Sequence, residues 1–217
     1  TGVVGKVEGT NFTDSLLVGH STTGTVTGAT ADNTGVGIEA LDAVSSGFGN
    51  TTLGYQAGTA ITTGLRNVLI GAYAGSTGGN LQACVYVGYE AGMKSTPNTG
   101  GNVGVGFKAL KEDTNGYYNI AVGEGAGLNI KLGHRNVCLG AYAGDNITTG
   151  DGNVAIGAHI DPASATENRQ LVIGGNDGST TTTWITGDGD GNIVTQGTVH
   201  AAGGQLTTTG KAFVMGF

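Results

Sequence analysis

Asn67-Val-Leu-Ile-Gly-Ala-Tyr-Ala-Gly75 returns almost unchanged as Asn136-Val-Cys-Leu-Gly-Ala-Tyr-Ala-Gly144. Its core is an aliphatic or β-branched residue, any residue, an aliphatic residue and then Gly. That phrase ends at Gly19, Gly37, Gly54, Gly71, Gly88, Gly106, Gly123, Gly140, Gly157 and Gly174, in steps of 18, 17, 17, 17, 18, 17, 17, 17 and 17 residues. Self-similarity at a constant short period marks a solenoid, in which each unit is stable only against its neighbours. The repeat covers about 155 of the 217 positions, so the architecture is set before any residue is given a chemical role.

Aligned on the glycine, the position four before it is Asn in seven coils: Asn33, Asn50, Asn67, Asn102, Asn119, Asn136 and Asn153. Asn tolerates a left-handed backbone and bonds its own neighbourhood in turns, so the column reads as a structural turn ladder. Three before the glycine stand Thr34, Thr51, Val68, Val85, Val103, Ile120, Val137 and Val154. One before it stand Val36, Leu53, Ile70, Val87, Val105, Val122, Leu139 and Ile156. The residue between them varies, as in Thr52, Tyr86 and Ala121, which predicts an in-out-in strand of period two with the aliphatics inside.

Three after the glycine the residue is Ala in seven coils (Ala40, Ala57, Ala74, Ala91, Ala109, Ala126, Ala143), and the next is Gly58, Gly75, Gly92, Gly127 or Gly144 in five. Small side chains in register imply close backbone approach and a sharp bend. Loops such as Ile61-Thr62-Thr63-Gly64 and Ile147-Thr148-Thr149-Gly150 follow. The expectation is a unit of two short strands and two turns, and about ten coils at ~4.8 Å each give a parallel β-roll roughly 50 Å long. A core of Ala, Val and Gly is thin, which predicts oligomerisation along an apolar face.

Composition narrows the function classes. The chain has 44 glycines but 2 prolines, 12% charged residues and a net charge of −7, which argues against a phosphate-backbone partner. No run reaches the ~20 apolar residues of a membrane helix, and no basic-then-apolar leader opens the sequence. The expectation is a soluble chain, processed or excerpted, with neither nucleic-acid nor membrane partner. Cys84 lies four before its glycine and Cys138 two before its own, three coils apart. At roughly 14 Å they lie beyond the ~7 Å between Cα atoms that a disulfide spans, so two free thiols are expected.

The repeats divide the chain into a lead-in (1–14), the roll (15–175) and a C-terminal segment (176–217). In the last, Thr181-Thr-Thr-Trp184-Ile-Thr186, a turn at Gly187-Asp-Gly-Asp-Gly-Asn192 and Ile193-Val-Thr195 read as a hairpin with further short strands, ending in Gly210-Lys-Ala-Phe-Val-Met-Gly-Phe217.

The phrases at 67–75, 136–144 and Asn153-Val-Ala-Ile-Gly-Ala158 resemble the head repeats of trimeric autotransporter adhesins. They are still more similar to Asn/Gly-rich repeats in tail-fibre and virion structural proteins of tailed phages, especially cyanophages. The resemblance covers about residues 11 to 175 and implies a left-handed parallel β-roll assembled as a homotrimer. The Trp-Ile-Thr-Gly-Asp and Gly-Lys-Ala-Phe-Val-Met-Gly-Phe segments are similar to C-terminal pieces of the same phage proteins, which favours phage over bacterial surface.

Sites for chemistry are weak. Asp188, Asp190 and Asn192 alternate like the opening of a calcium loop, but Ile193 stands where an EF-hand has Gly, so turn chemistry is expected and no metal. His20, His134, His159 and His200 share no metal spacing and read as surface or loop residues. No Gly-x-Ser-x-Gly elbow presents a nucleophile, and Gly123-Glu-Gly-Ala-Gly127 reads as a repeat turn, with no helix after it to hold phosphate. Neither catalysis nor a cofactor is expected. The candidate contacts are aromatics beside the repeat glycine, Tyr55, Tyr73, Tyr89, Phe107 and Tyr142, which could stack on a host surface glycan or pad contacts between coils and protomers. Tyr117 and Tyr118 read as exposed loop residues.

Taken with that resemblance, the repeats imply a structural and adhesive virion protein, a trimeric fibre, spike or decoration segment. Its partners would be itself, other virion proteins and a host glycan. A bacterial adhesin head is the alternative. Ice binding would need a flat Thr ladder, which Thr62-Thr63 and Thr148-Thr149 begin but Val44-Ser45 and Gly78-Gly79 break.

Overall fold

The computed structural model describes residues 5–9, 12–19, 30–96 and 99–196. Among these there is no helix. The strands are β1 (Gly5–Gly9), β2 (Phe12–Val18), β3 (Thr30–Ala31), β4 (Thr34–Val36), β5 (Thr51–Leu53), β6 (Val68–Ile70), β7 (Val85–Val87), β8 (Val103–Val105), β9 (Ile120–Val122), β10 (Val137–Leu139), β11 (Val154–Ile156), β12 (Leu171–Asn176), β13 (Thr181–Gly187) and β14 (Ile193–Thr195). From β2 through β12, leaving aside β3, each pairs in parallel with its equivalent one coil on: Val137 sits between Ile120 and Val154, and Leu139 between Val122 and Ile156. The chain is a β-solenoid of about nine turns at 17-residue spacing, as the glycine period predicts.

Two expectations about the coil are corrected. From β5 to β11 each coil carries one three-residue strand instead of two. The second segment, around the Ala column, is a run of turns, and beyond it only isolated bridges link Phe48, Leu65, Gln82, Gly100 and Tyr117 in file. Turns are forced there by left-handed backbone at non-Gly positions in register, Glu39, Gln56, Tyr73, Glu90, Lys108, Tyr142 and His159, with φ between 52 and 62°.

The facing of the strand is the reverse of in-out-in. In β4 to β11 the middle residue is buried and its neighbours are half-buried or exposed. Leu69, Tyr86, Ala121, Cys138 and Ala155 point inward, while Val36, Leu53 and Val122 remain 36, 49 and 42% exposed. The inner column varies in size because neighbouring coils compensate. A methyl group at Gly35 would stand 2.5 Å from Leu17, and one at Gly104 would stand 3.0 Å from the Tyr86 ring. Large beside small keeps the interior filled.

Facing the inner strand column across the coil are the buried Ala column and Val44, Ile61, Ile130 and Ile147, which complete the apolar core. The corner glycines are fixed twice over. Gly123 has φ +137°, and a methyl group on it would meet the carbonyl oxygen of Gly140 at 2.4 Å. Only a residue without Cβ lets successive coils touch there.

The Asn column is a ladder, as predicted, though by a different geometry. None of these Asn residues is left-handed; the preceding residue is, as at Asp32, Arg66, Tyr118 and Arg135. Each Asn is fully buried. The Oδ1 of Asn119 accepts the backbone N–H of Asn136 (3.0 Å) and its Nδ2 (3.1 Å), while Asn136 Nδ2 also donates to the Gly150 carbonyl (2.9 Å). Ser15 and Gln170 continue the column at its ends, Ser15 Oγ accepting from Asn33 N–H and Gln170 N–H donating to Asn153.

The roll stops where a corner fails to turn. Gly174 lies inside β12, which runs on to Asn176, and β13 folds back antiparallel on it, with β14 antiparallel on β13. The predicted hairpin between 181–186 and 193–195 is present. At the other end β1 pairs antiparallel with β2. His20, His200 and the closing segment 210–217 lie outside the described residues.

Candidate functional site

The predicted aromatics sit at the corner that follows each strand. Because the coils are in register, side chains 17 or so residues apart become neighbours, and four of the five candidates form one row. Tyr55 meets Tyr73 edge-on at 5.3 Å between centroids, Tyr73 meets Tyr89 edge-on at 6.0 Å, and Tyr89 stacks on Phe107 at 5.5 Å. Tyr55, Tyr89 and Phe107 are exposed, Tyr73 less so.

Charges frame the row. Lys108 Nζ lies 4.6 Å from the Phe107 centroid, and Lys111 pairs with Glu90 at 2.6 Å. That ammonium, foremost, holds the Glu90 carboxyl below its usual range, and Glu90 in turn pushes the Tyr89 phenol up. The row therefore offers phenol hydroxyls and apolar ring faces, the two features that a sugar or a partner chain can use.

Tyr142 is not part of it. The coil at Gly123 carries Glu124 and Gly125 where rings would continue, and the Tyr142 ring leans over Gly125 so that its hydroxyl donates to Glu124 (2.5 Å). On its far side it stacks on His159 at 5.1 Å.

Sequence reasoning passed over a second cluster, on the approach to the strand. Tyr117 stacks on His134 at 3.6 Å and meets Tyr118 edge-on at 5.8 Å, with the Arg135 guanidinium 5.9 Å from both tyrosine rings. An open groove of about 340 Å³ runs beside them over Gln82, Ala83, Gly100 and Gly101, the coils where this column has lost its bulk. The signal was available in the register: Tyr117-Tyr118 and His134-Arg135 occupy equivalent positions.

Between the two aromatic zones lie the outward aliphatic columns of β4 to β11. The reversed strand facing is what puts them on the surface.

One connected set of polar and titratable groups is sealed inside. Cys84 interrupts the Asn ladder, so the Asn102 amide has no Asn before it. Its Nδ2 is instead shared among Asp113 Oδ2 (2.7 Å), the Gly116 carbonyl (2.9 Å) and the Tyr86 hydroxyl (3.3 Å), which also bonds Ser95 Oγ (2.9 Å). Burial pushes the Asp113 carboxyl up to about 7, against the N–H groups of Gly116 and Asn115 that favour its charge. Cys84, Tyr86, Ser95, Asn102 and Asp113 are all at 0% exposure, so no substrate reaches them.

Both cysteines are free, as predicted, and both are buried; burial pushes the Cys138 thiol up to about 12. Asp188 Oδ1 accepts from the N–H groups of Asp190 and Asn192 (3.0 Å each) and Oδ2 from Asn192 Nδ2 (2.8 Å), which is turn chemistry. Among the described residues no three His, Cys, Asp or Glu side chains gather as a metal requires, and no helix is long and apolar enough to cross a membrane. No family model, curated protein or solved structure matches the chain.

Proposed function

We propose that the chain is a structural and adhesive segment of a tailed-phage virion: a fibre, spike or decoration piece that works as a homotrimer and without catalysis. The observation that most supports this reading is the outer strand face, where the column just before the repeat glycine is aliphatic from β4 to β11, with Val36, Leu53 and Val122 exposed and its other members half-buried in the single chain. An apolar stripe continuous over eight coils is a surface to be covered, and a second and third copy cover it at once with no further partner. The likeness of the repeat phrases to phage fibre repeats supplies the setting.

Mechanically, the ladder of main-chain and Asn bonds makes a stiff spacer. The Tyr55–Tyr73–Tyr89–Phe107 row supplies weak contacts for a host surface glycan, multiplied by three-fold valency. Labelling source particles with an antibody against the chain tests the reading. Density on a tail or capsid in negative stain is expected, and label confined to a cell envelope overturns it.

A further inference from the structure

We propose that Trp184 and the turn beside it form a binding platform for a neutral saccharide, with a pyranose ring seated on the indole and its hydroxyls directed to the turn. The site is distinct from the tyrosine row and does not depend on where the chain resides.

The pairing of β13 with β12 slips at one point. Ile173 faces Ile185 and Gly174 faces Thr183, so Trp184 is an extra residue on its strand. A β-bulge of this kind re-aims one side chain out of the regular alternation. Here it lays the indole against Gly175, where a methyl group would stand 2.8 Å from Cζ2 and 2.9 Å from Cη2. One side of the ring is thus supported by backbone, yet the residue remains 52% exposed.

The indole walls an open groove of about 300 Å³ with Asn176, Asp177, Thr180 and Thr182 around it. That turn is held rigid from within. Asn176 Oδ1 accepts from Gly178 N–H (2.7 Å), and Asn176 Nδ2 donates to Thr181 Oγ1 (2.6 Å). Asp177 Oδ1 accepts from the N–H groups of Ser179 (2.9 Å) and Thr180 (2.7 Å). Both Asp177 bonds fall on Oδ1, leaving Oδ2 to accept from a ligand. The same bonds hold its carboxyl below the usual range, so it stays an anion.

An aromatic face carries partial negative charge and suits the C–H face of a pyranose, while a fixed carboxylate accepts from vicinal hydroxyls. An acidic sugar would set its own carboxylate beside Asp177 on a chain of net charge −7. Neutral sugars are therefore selected.

Trp184 is the only tryptophan of the chain, so its emission reports this site alone. The test titrates the full chain with methyl glycosides of glucose, galactose, mannose and N-acetylglucosamine, and with methyl glucuronide as the acidic arm. Expected are a saturable blue shift and protection from acrylamide quenching with at least one neutral glycoside. Saturation-transfer NMR signals should be lost in Trp184→Ala, kept in part in Trp184→Phe, and weakened at least fivefold in Asp177→Asn. The proposal is overturned if no neutral glycoside protects the ring up to tens of millimolar, or if methyl glucuronide binds as well. It is also overturned if the sugar-free protein already shows a blue-shifted, quencher-shielded tryptophan, which would mean that another chain covers the ring.

Discussion

Asn136 accepts the backbone N–H of Asn153, one coil further on, at its Oδ1 over 2.9 Å. The side chain of one coil thereby supplies the hydrogen bond that the backbone of the next coil needs at a fully buried position, and the pattern recurs along the roll. Buried N–H groups without a partner are costly, so the ladder makes neighbouring coils interdependent.

Asn119→Ala removes the acceptor for Asn136 N–H and the donor to the Gly133 carbonyl. Two buried backbone groups then lose partners, and a loss of roughly 2–5 kcal/mol in unfolding free energy is expected by chemical denaturation. Asn119→Asp should be at least as damaging, because a carboxylate cannot donate to Gly133.

Gly123→Ala should destabilise by more than ~2 kcal/mol, through both its left-handed φ and the clash with Gly140. Gly79→Ala is the control, since its nearest neighbours stand at 3.5 Å and its φ is not left-handed. Thermal melts of the two variants should differ plainly, the first lowered and the second near wild type.

Much of this order was legible in the sequence, and the reason is register. Gly54, Gly71 and Gly88 in step disclosed the stacking, and Asn50 and Asn67 disclosed the ladder. The sign of the strand alternation was not legible. A period of two says that Leu53 and Thr52 face opposite ways without saying which is inside, and the more apolar column is the one that reads as core. The clue was the size compensation of Leu17 with Gly35 and of Tyr86 with Gly104, which only an inner column needs. Glu39 and Tyr73 gave no sign of their left-handed backbone, because the stacked turns impose it against residue preference. The Tyr row was visible as a spacing. Trp184 was not, because its bulge lies outside the repeat.

The contribution of Asp113 to stability should fall as pH rises from about 4 to about 7. The Asp113 carboxyl moves from 3.8 to about 7 on folding, so across that interval the folded chain binds more protons than the unfolded one. At ~1.4 kcal/mol per pH unit the penalty reaches at most ~4 kcal/mol above pH 7 and is absent below pH 4. Asp145 and Asp161 shift the same way, and Glu90, Asp177 and Asp188 the opposite way. The check is therefore the difference between wild type and Asp113→Asn, whose melting temperatures should diverge with rising pH in favour of the variant.

Neither Cys84 nor Cys138 should react with a thiol reagent such as Ellman's in the native protein, because both are buried and burial raises both thiols. Two equivalents should react in denaturant. Native reactivity at Cys138 would mean that the coil interior opens.

Self-association through the outer strand face is the claim on which the proposed function depends, and sedimentation equilibrium tests it most directly. At micromolar concentration the wild-type chain should run at three times 21.4 kDa. Leu53→Lys/Val122→Lys, which changes only outward-facing side chains, should run as a folded monomer with unchanged circular dichroism. A wild-type chain that sediments as a monomer, or a double variant that stays assembled, would contradict the account.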